Sequence, residues 1–442
     1  MNLEKPEMRP RGDECVGENF NLRDLLLKGR TCGFHERVKF FSDFIQGVDE
    51  RHQSFYRRPI LTPSDREVVV EDPVTGRCKT MLMFGSNNYL GLANHPLVAE
   101  KVRNAMERFG VGIGGPPLLN GTTSLHRELE ERLSAFKRAE DTVLFSSGYA
   151  ANVGLVTALT GRNDVVLYDE LSHASFADGL RMSDARSVFF RHNDLLKLDE
   201  LLFKHGASKA GDRFVGVEGV YSMDGDLAPL DRLVPLCKKH GAVLIVDDAH
   251  GTGVLGRTGG GIAEHFGLEG KVDVLMGTFS KSFGVAGGFV SASKPVVDYL
   301  RFMARSHMFS ASLPPIVVAA VLAGLDVIAA EPDRLRNLHS NVRYANREFR
   351  RRGFPVHTPT PIIALRVPEW MNIREAALRF HESGIFVNAI EYPAVPVRQQ
   401  RFRISLTADH TKNDIDRLVE AAETVWQACS EKAGVAETAA AG

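Results

Sequence analysis

Cysteine is scarce: five in 442 residues, and none in C-x-x-C spacing. Cys15, Cys32, Cys78, Cys237 and Cys429 are scattered, which argues against a disulfide framework or a zinc site and fits a reducing cytoplasm. An excess of one charge is also missing. Lys and Arg number 54 against 55 Asp and Glu, a formal charge of −1, so there is no electrostatic case for a nucleic-acid or anionic-membrane partner. No apolar run reaches the roughly 18 residues that span a bilayer. The polar start, MNLEKPEMRPRGDECVGENF, lacks the apolar stretch of a secretory signal, and a cytoplasmic location is expected. Internal repeats are absent. Hydrophobic residues, in contrast, make up 44% of the chain, ample for a large core and two domains or more.

Residues 1 to about 60 show little sustained periodicity beyond one expected helix, HERVKFFSDFIQGVDERHQSFY. From residue 81 the chain alternates as a parallel sheet flanked by helices does. HPLVAEKVRNAMERF, SLHRELEERLSAF and YAANVGLVTAL have helical spacing, while DTVLFSS, DVVLYDE, SVFFRH, RFVGVEGVYS, AVLIVDDAH and VDVLMGTFS read as strands. After SASLPP, a long helical stretch leads to a smaller unit containing PIIALRV, REAALRFHESG, FRISLTAD and a closing helix. The division expected is an N-terminal extension or arm over 1–80, a large domain over 81–330 and a small C-terminal α+β domain over 331–442. The G-x-G-x-x-G of Gly110 to Gly115 follows a helix and precedes Pro116-Pro117, the wrong context for a dinucleotide fingerprint.

The polar residues collect at strand ends, where sites form in such sheets. VLIVDDAH delivers Asp247, Asp248 and His250. Read alone, Asp247 either caps a turn or holds a ligand, and His250 is either a satisfied core histidine or functional. GTFSKSFGVAGG sets Lys281 among hydroxyls and glycines. Burial there lowers a lysine's pKa and makes it nucleophilic toward carbonyls. Thr278 and Ser280 could bond a phosphate, and SSGYAAN ends a strand in a Gly148 turn that opens a helix, whose free N–H groups suit an anion. One ligand would use all of these: pyridoxal 5′-phosphate (PLP), with Lys281 for its aldehyde, Asp247 for its ring nitrogen and the Gly148 turn for its phosphate.

Nine blocks in order carry a family resemblance: NNYLGLANHP, LLNGTTSLHRELE, FSSGYAAN, SHASFADG, EGVYSMDGD, VDDAHGTGVLG, GTFSKSFGVAGG, FSASLPP and YPAVP…RFRISLTADHT. Over about residues 81–430 the chain resembles the α-oxoamine synthase family of fold-type I PLP enzymes. The resemblance implies an aspartate-aminotransferase-like α/β fold and a homodimer with shared active sites. In its terms Lys281 is the Schiff-base lysine, Asp247 the acid on the pyridine nitrogen, and His173 the imidazole stacked on the ring. Ser222 and His250 lie near the phenolic oxygen. Gly148, Tyr149, Thr278 and Ser280 surround the phosphate, which Ser310 of the other subunit also contacts. Asn87 and Arg403 hold the substrate carboxylate.

The implied reaction joins an amino acid to an acyl thioester, carried on coenzyme A or a carrier protein, with loss of CO₂. The blocks look most like those of bacterial serine palmitoyltransferases, implying L-serine, a long-chain acyl donor and peripheral membrane association for a lipid product. Two residues depart from the pattern. Pro117 stands where many relatives have an arginine and removes a backbone donor. Glu391 stands where some have an arginine before the YPAVP loop; because it would repel a carboxylate if it pointed inward, it is expected to face solvent.

Overall fold

A computed structural model describes residues 22–434 apart from 30, 54, 73–74 and 207–210. Its strands, in chain order, are β1 (Glu67–Glu71), β2 (Cys78–Met83), β3 (Asp141–Phe145), β4 (Val165–Asp169), β5 (Arg186–Phe190), β6 (Arg213–Glu218) and β7 (Val243–Asp247). There follow β8 (Val274–Thr278), β9 (Gly288–Ala292), β10 (Ile362–Arg366), β11 (Ile385–Phe386), β12 (Asn388–Ile390) and β13 (Arg401–Ser405). The main sheet has the order β3-β9-β8-β7-β6-β4-β5. Only β9 runs against its neighbours, so the carboxyl ends of the other six point the same way.

Burial explains why the strands read so clearly. β3, β7 and β8 carry near-continuous apolar runs because helices cover both sheet faces. Helices Pro96–Phe109, Ser124–Lys137 and Pro315–Ala330 pack together, and the last is mostly buried. Among the described residues no single helix is long and apolar enough to cross a membrane. Each helix expected from periodicity is present to within about two residues at its ends, except the first and the last; the closing helix, expected as DIDRLVEAAETVWQAC, runs on to Ala433 as Lys412–Ala433. The first spans Phe34–Glu50 and stops short of Tyr56, with His52 in the left-handed region at φ 54°.

The C-terminal unit contains the sheet β10-β13-β12 and its own core around Phe380, Phe402 and Phe349. The hairpin β1-β2, not anticipated from sequence, joins this unit: β2 pairs with β11, and Leu82 and Phe84 enter its core. The loop after β2 then carries Asn87 and Tyr89 back toward the main sheet, with Asn388 Nδ2 donating to the Gly85 carbonyl at 2.8 Å. Gly110 caps helix Pro96–Phe109 at φ 75°, so the glycine-rich run is a helix exit with no strand before it.

Behind the strand ends sits a fully buried ion pair. Lys137 Nζ donates to Asp248 Oδ2 at 2.7 Å, to Thr252 Oγ1 at 3.2 Å and to the Gly260 carbonyl at 2.7 Å. Asp248 also accepts from the Ile262 amide, so one carboxylate organises loop 249–262. Glycine at 251 and 261 is required by close approach, since a Cβ there would fall 2.0 and 1.8 Å from Asp248 oxygens. Removing one partner of such a pair leaves a buried charge uncompensated. Lys137→Ala is therefore expected to destabilise the protein by about 3–5 kcal/mol, read as a lower denaturation midpoint. An unchanged midpoint would contradict the assignment.

Candidate active site

Five strands deliver polar groups to one edge of the sheet: β3 leads to Ser147 and Gly148, β4 to His173, β6 to Glu218 and Ser222, β7 to Asp247 and His250, and β8 to Thr278 and Lys281. Arg403 reaches the same place from β13 of the second unit.

Asp247, 7% exposed, accepts from Asn152 Nδ2 at 2.7 Å and from the Ala249 amide at 3.0 Å. These donors stabilise an anion. The second Asn152 N–H donates to Ser175 Oγ at 2.9 Å. Ser175 approaches His173 Nδ1 at 2.7 Å, and its own amide donates to the same nitrogen at 3.3 Å. Nδ1 thus accepts, the Ser175 hydroxyl donates to it, and the His173 proton lies on Nε2. A fixed relay runs from Asp247 through Asn152 and Ser175 to the imidazole. Burial holds the His173 pKa below its ordinary value.

Lys281 is half-buried, and its Nζ has no hydrogen bond or ion pair among the described residues. Burial brings its pKa down to about 8, although the carboxylate of Asp247 favours the charged form. His250 is buried and contacts the Tyr89 hydroxyl at 2.8 Å through Nδ1. Burial and the Lys281 and Arg403 charges keep its pKa well below the usual value, so the ring is neutral. Arg403, 5% exposed, donates from Nε to the Ser222 carbonyl at 2.6 Å and from Nη1 to Asn87 Oδ1 at 2.9 Å. No carboxylate among the described residues pairs with it. That leaves a buried guanidinium seeking an anion.

The expected phosphate end has the matching shape. Helix Gly148–Leu159 begins there, with Ser147 Oγ accepting from the Ala150 amide at 3.0 Å. A Cβ at Gly148 would fall 2.9 Å from the Thr278 Cβ, so glycine is needed for that approach. Thr278 and Ser280 hydroxyls lie 3.0 Å apart. The Tyr149 side chain is exposed and donates to Asp178, leaving only its backbone for an anion.

Other residues fall elsewhere. Ser310 lines a small cavity with Pro117, Thr122 and Ser146, and Lys281 is not among the residues that line it. The Pro117 carbonyl accepts from Thr122 Oγ1 at 2.8 Å. The expectation for Glu391 is wrong. It is buried at 7% and paired with Arg374, Nε to Oε1 at 3.2 Å, with the Tyr56 hydroxyl 3.4 Å from its Oε2. The repulsion argument omitted a partner: inward placement is tolerable because Arg374, itself buried, neutralises the carboxylate. Reading the sequence also passed over Asn152, Ser175, Tyr89 and Glu218. All four lie inside or one residue from quoted blocks, yet only the fold shows what they touch.

A lysine with a lowered pKa, a buried aspartate one strand away and a glycine-lined helix N-terminus fit PLP. Fold and site together define a fold-type I PLP-dependent enzyme. The family described as class I and II aminotransferases matches residues 79–421. An 8-amino-7-oxononanoate synthase of Thermosipho melanesiensis is 39% identical over 87% of this chain and 97% of its own length. A serine palmitoyltransferase of Sphingobacterium spiritivorum is 39% identical over 87% of this chain and 94% of its own. A solved serine palmitoyltransferase bound to PLP is 34% identical, with a TM-score of 0.77 over 85% of this chain and 93% of that one. The chain belongs to the α-oxoamine synthases. It spans 61% of one further relative, the 4-hydroxy-2,2′-bipyrrole-5-methanol synthase PigH of Serratia, at 37% identity.

Burial makes Lys281 titrate below ordinary lysines, so its free-amine fraction rises from about pH 7 upward. In cofactor-free protein its acetylation rate, followed by peptide mass spectrometry across pH, is expected to have a midpoint near 8, against about 10.4 for exposed lysines. A midpoint shared with surface lysines would remove the desolvated site.

Proposed function

We propose that the protein condenses an L-amino acid, serine first, with a long-chain acyl thioester, releasing CO₂ and the thiol to give an α-amino ketone. The observation that carries this reading is Arg403: a buried guanidinium without an acidic partner among the described residues, within electrostatic reach of Lys281. An amino-acid carboxylate satisfies it, and two parallel N–H···O bonds would fix the substrate's orientation as well as its charge. Asn87, already bonded to Arg403, holds the guanidinium in register.

Lys281 Nζ would hold the PLP aldehyde carbon, Asp247 the ring nitrogen, and the Gly148 amide with Thr278 and Ser280 the phosphate. When bound, PLP supplies an electron sink for a carbanion at the substrate's α-carbon. Lys281 Nζ, with its pKa brought down to about 8, gives up its proton far more readily than an ordinary lysine and is suited to take the α-proton. Asn152 and the Ala249 amide each donate to one Asp247 oxygen and hold the carboxylate in place. Neutral His250 adds no cation beside Arg403, while His173 offers a fixed Nε2–H for an oxygen acceptor. The carbon–carbon bond forms as the thiol leaves, CO₂ departs from the carboxyl group, and a proton returns to the α-carbon.

Glycine or alanine with another acyl–coenzyme A or carrier-protein donor is the alternative, because relatives of both names share 39% identity. We also place Ser310 at the partner subunit's phosphate in a homodimer, since within one chain it lines a different cavity. Peripheral membrane association would follow from a lipid product.

PLP-loaded protein is expected to absorb near about 420 nm, and Lys281→Ala to abolish that band. Arg403→Ala should lower kcat/KM for the amino acid on the order of 10²-fold, as loss of charge-assisted bonds predicts, with the acyl-donor KM little changed. Protein that folds but stays colourless with PLP would overturn the reading. Product analysis with serine, glycine and alanine against several acyl thioesters assigns the substrates.

A further inference from the structure

Glu218 ends β6 directly opposite Asp247 on β7 and is 3% exposed. Its Oε2 accepts the Ser222 amide at 3.1 Å, and the Ser222 carbonyl in turn accepts Arg403 Nε at 2.6 Å. The other oxygen, Oε1, is buried without a hydrogen-bond partner among the described residues. Two carboxylates on neighbouring strand ends cannot both ionise cheaply in a desolvated place. Asp247 has an amide side chain and a backbone N–H to stabilise its charge, whereas Glu218 has a single backbone N–H. The poorer donor set makes Glu218 the member of the pair that keeps a proton. Burial, reinforced by the Asp247 charge, pushes the Glu218 pKa well above the carboxylate range.

We propose that Glu218 is a positioning residue: a neutral acid that pins the Ser222 amide and thereby aims the Ser222 carbonyl that orients Arg403 toward the substrate carboxylate. This deepens the function proposed above and rests on it. A charged Glu218 would serve differently, as a second counter-ion for Lys281. A neutral one leaves Asp247 as the single anion of the pair and presents an Oε1–H to an oxygen acceptor in the cleft. The relay also accounts for the chain folding back after β6, with the Tyr221 amide donating to the Asp226 carbonyl at 3.0 Å, so that Ser222 stands under Arg403.

Glu218→Gln separates the two roles, because glutamine keeps the acceptor for Ser222 and places a neutral donor where the protonated oxygen stood. In PLP-loaded E218Q, the amino-acid KM is expected within about threefold of wild type, and the pH midpoint of the visible band is expected to stay in place. Glu218→Ala should raise the amino-acid KM about tenfold or more while reducing kcat less, and adding Arg403→Lys should cost much less in that background than in wild type. A downward shift of the band's midpoint by about one pH unit or more in E218Q would show that an anion had been removed and would overturn the proposal. So would E218Q behaving like E218A, or E218A lowering kcat at unchanged KM. If E218A does not fold, E218Q alone decides through its KM and band midpoint. Wild-type protein that takes no colour from PLP sinks the functional reading itself. Coloured wild type with a failing E218Q sinks this inference only.

Discussion

One desolvated amine sets the terms for the rest of the site. Taking an ammonium out of water costs several kcal/mol unless it is paired or loses its proton, and Lys281 has no partner within hydrogen-bond reach among the described residues. Its pKa therefore falls. What stops it falling further is Asp247, whose own charge must survive the same burial. That explains the two donors on Asp247 and the use of both N–H groups of the Asn152 side chain. One N–H holds the aspartate while the other anchors the Ser175–His173 end of the relay. Asn152→Ala would disturb an anion and an imidazole together, although it touches neither Lys281 nor Arg403.

The parallel sheet makes such a concentration of charge affordable. Carboxyl ends of neighbouring strands bring side chains from distant sequence positions to within a few ångströms while the hydrophobic faces stay covered. The same geometry creates the conflict between Asp247 and Glu218, which sit in register on adjacent strands. Unequal donor sets resolve it. Deeper in, Asp248 receives an ammonium of its own, Lys137, and so does not compete for Lys281. Three acids at one edge are thus met in three ways: Asp247 by two hydrogen-bond donors, Asp248 by a salt bridge and Glu218 by a single backbone N–H.

Much of this was legible because strands buried on both faces leave apolar runs with abrupt polar ends, and those ends carried Lys281, Asp247, His250 and Thr278. Periodicity likewise exposed the helices, including Ser124–Lys137 and Lys412–Ala433. The hairpin β1-β2 was not legible, since its short strands alternate weakly and their partner, β11, lies some 300 residues away. Glu391 was misread for a related reason. Whether a carboxylate can turn inward depends on what meets it, and Arg374 stands on a separate helix, Ile373–Glu382. The protonation of Glu218 was invisible because it follows from a strand register, which composition does not encode.

The Arg374–Glu391 pair and Arg403 show how two similar cations are given different tasks. Arg374 is neutralised by Glu391, and its guanidinium also sits 5.0 Å from the Phe44 ring, so it ties the N-terminal helix to the loop that follows β12. Arg403 instead donates to a carbonyl and an amide oxygen, acceptors that orient it without cancelling its charge. A free positive charge inside the fold is a standing cost, and Ser222, Asn87, Ser405 and Tyr89 reduce it only in part. The remaining deficit is what a bound carboxylate can relieve. Because these acceptors come from the main sheet's β6 exit and from the loop after β2, Arg403 is fully oriented only while the second unit is seated against the first.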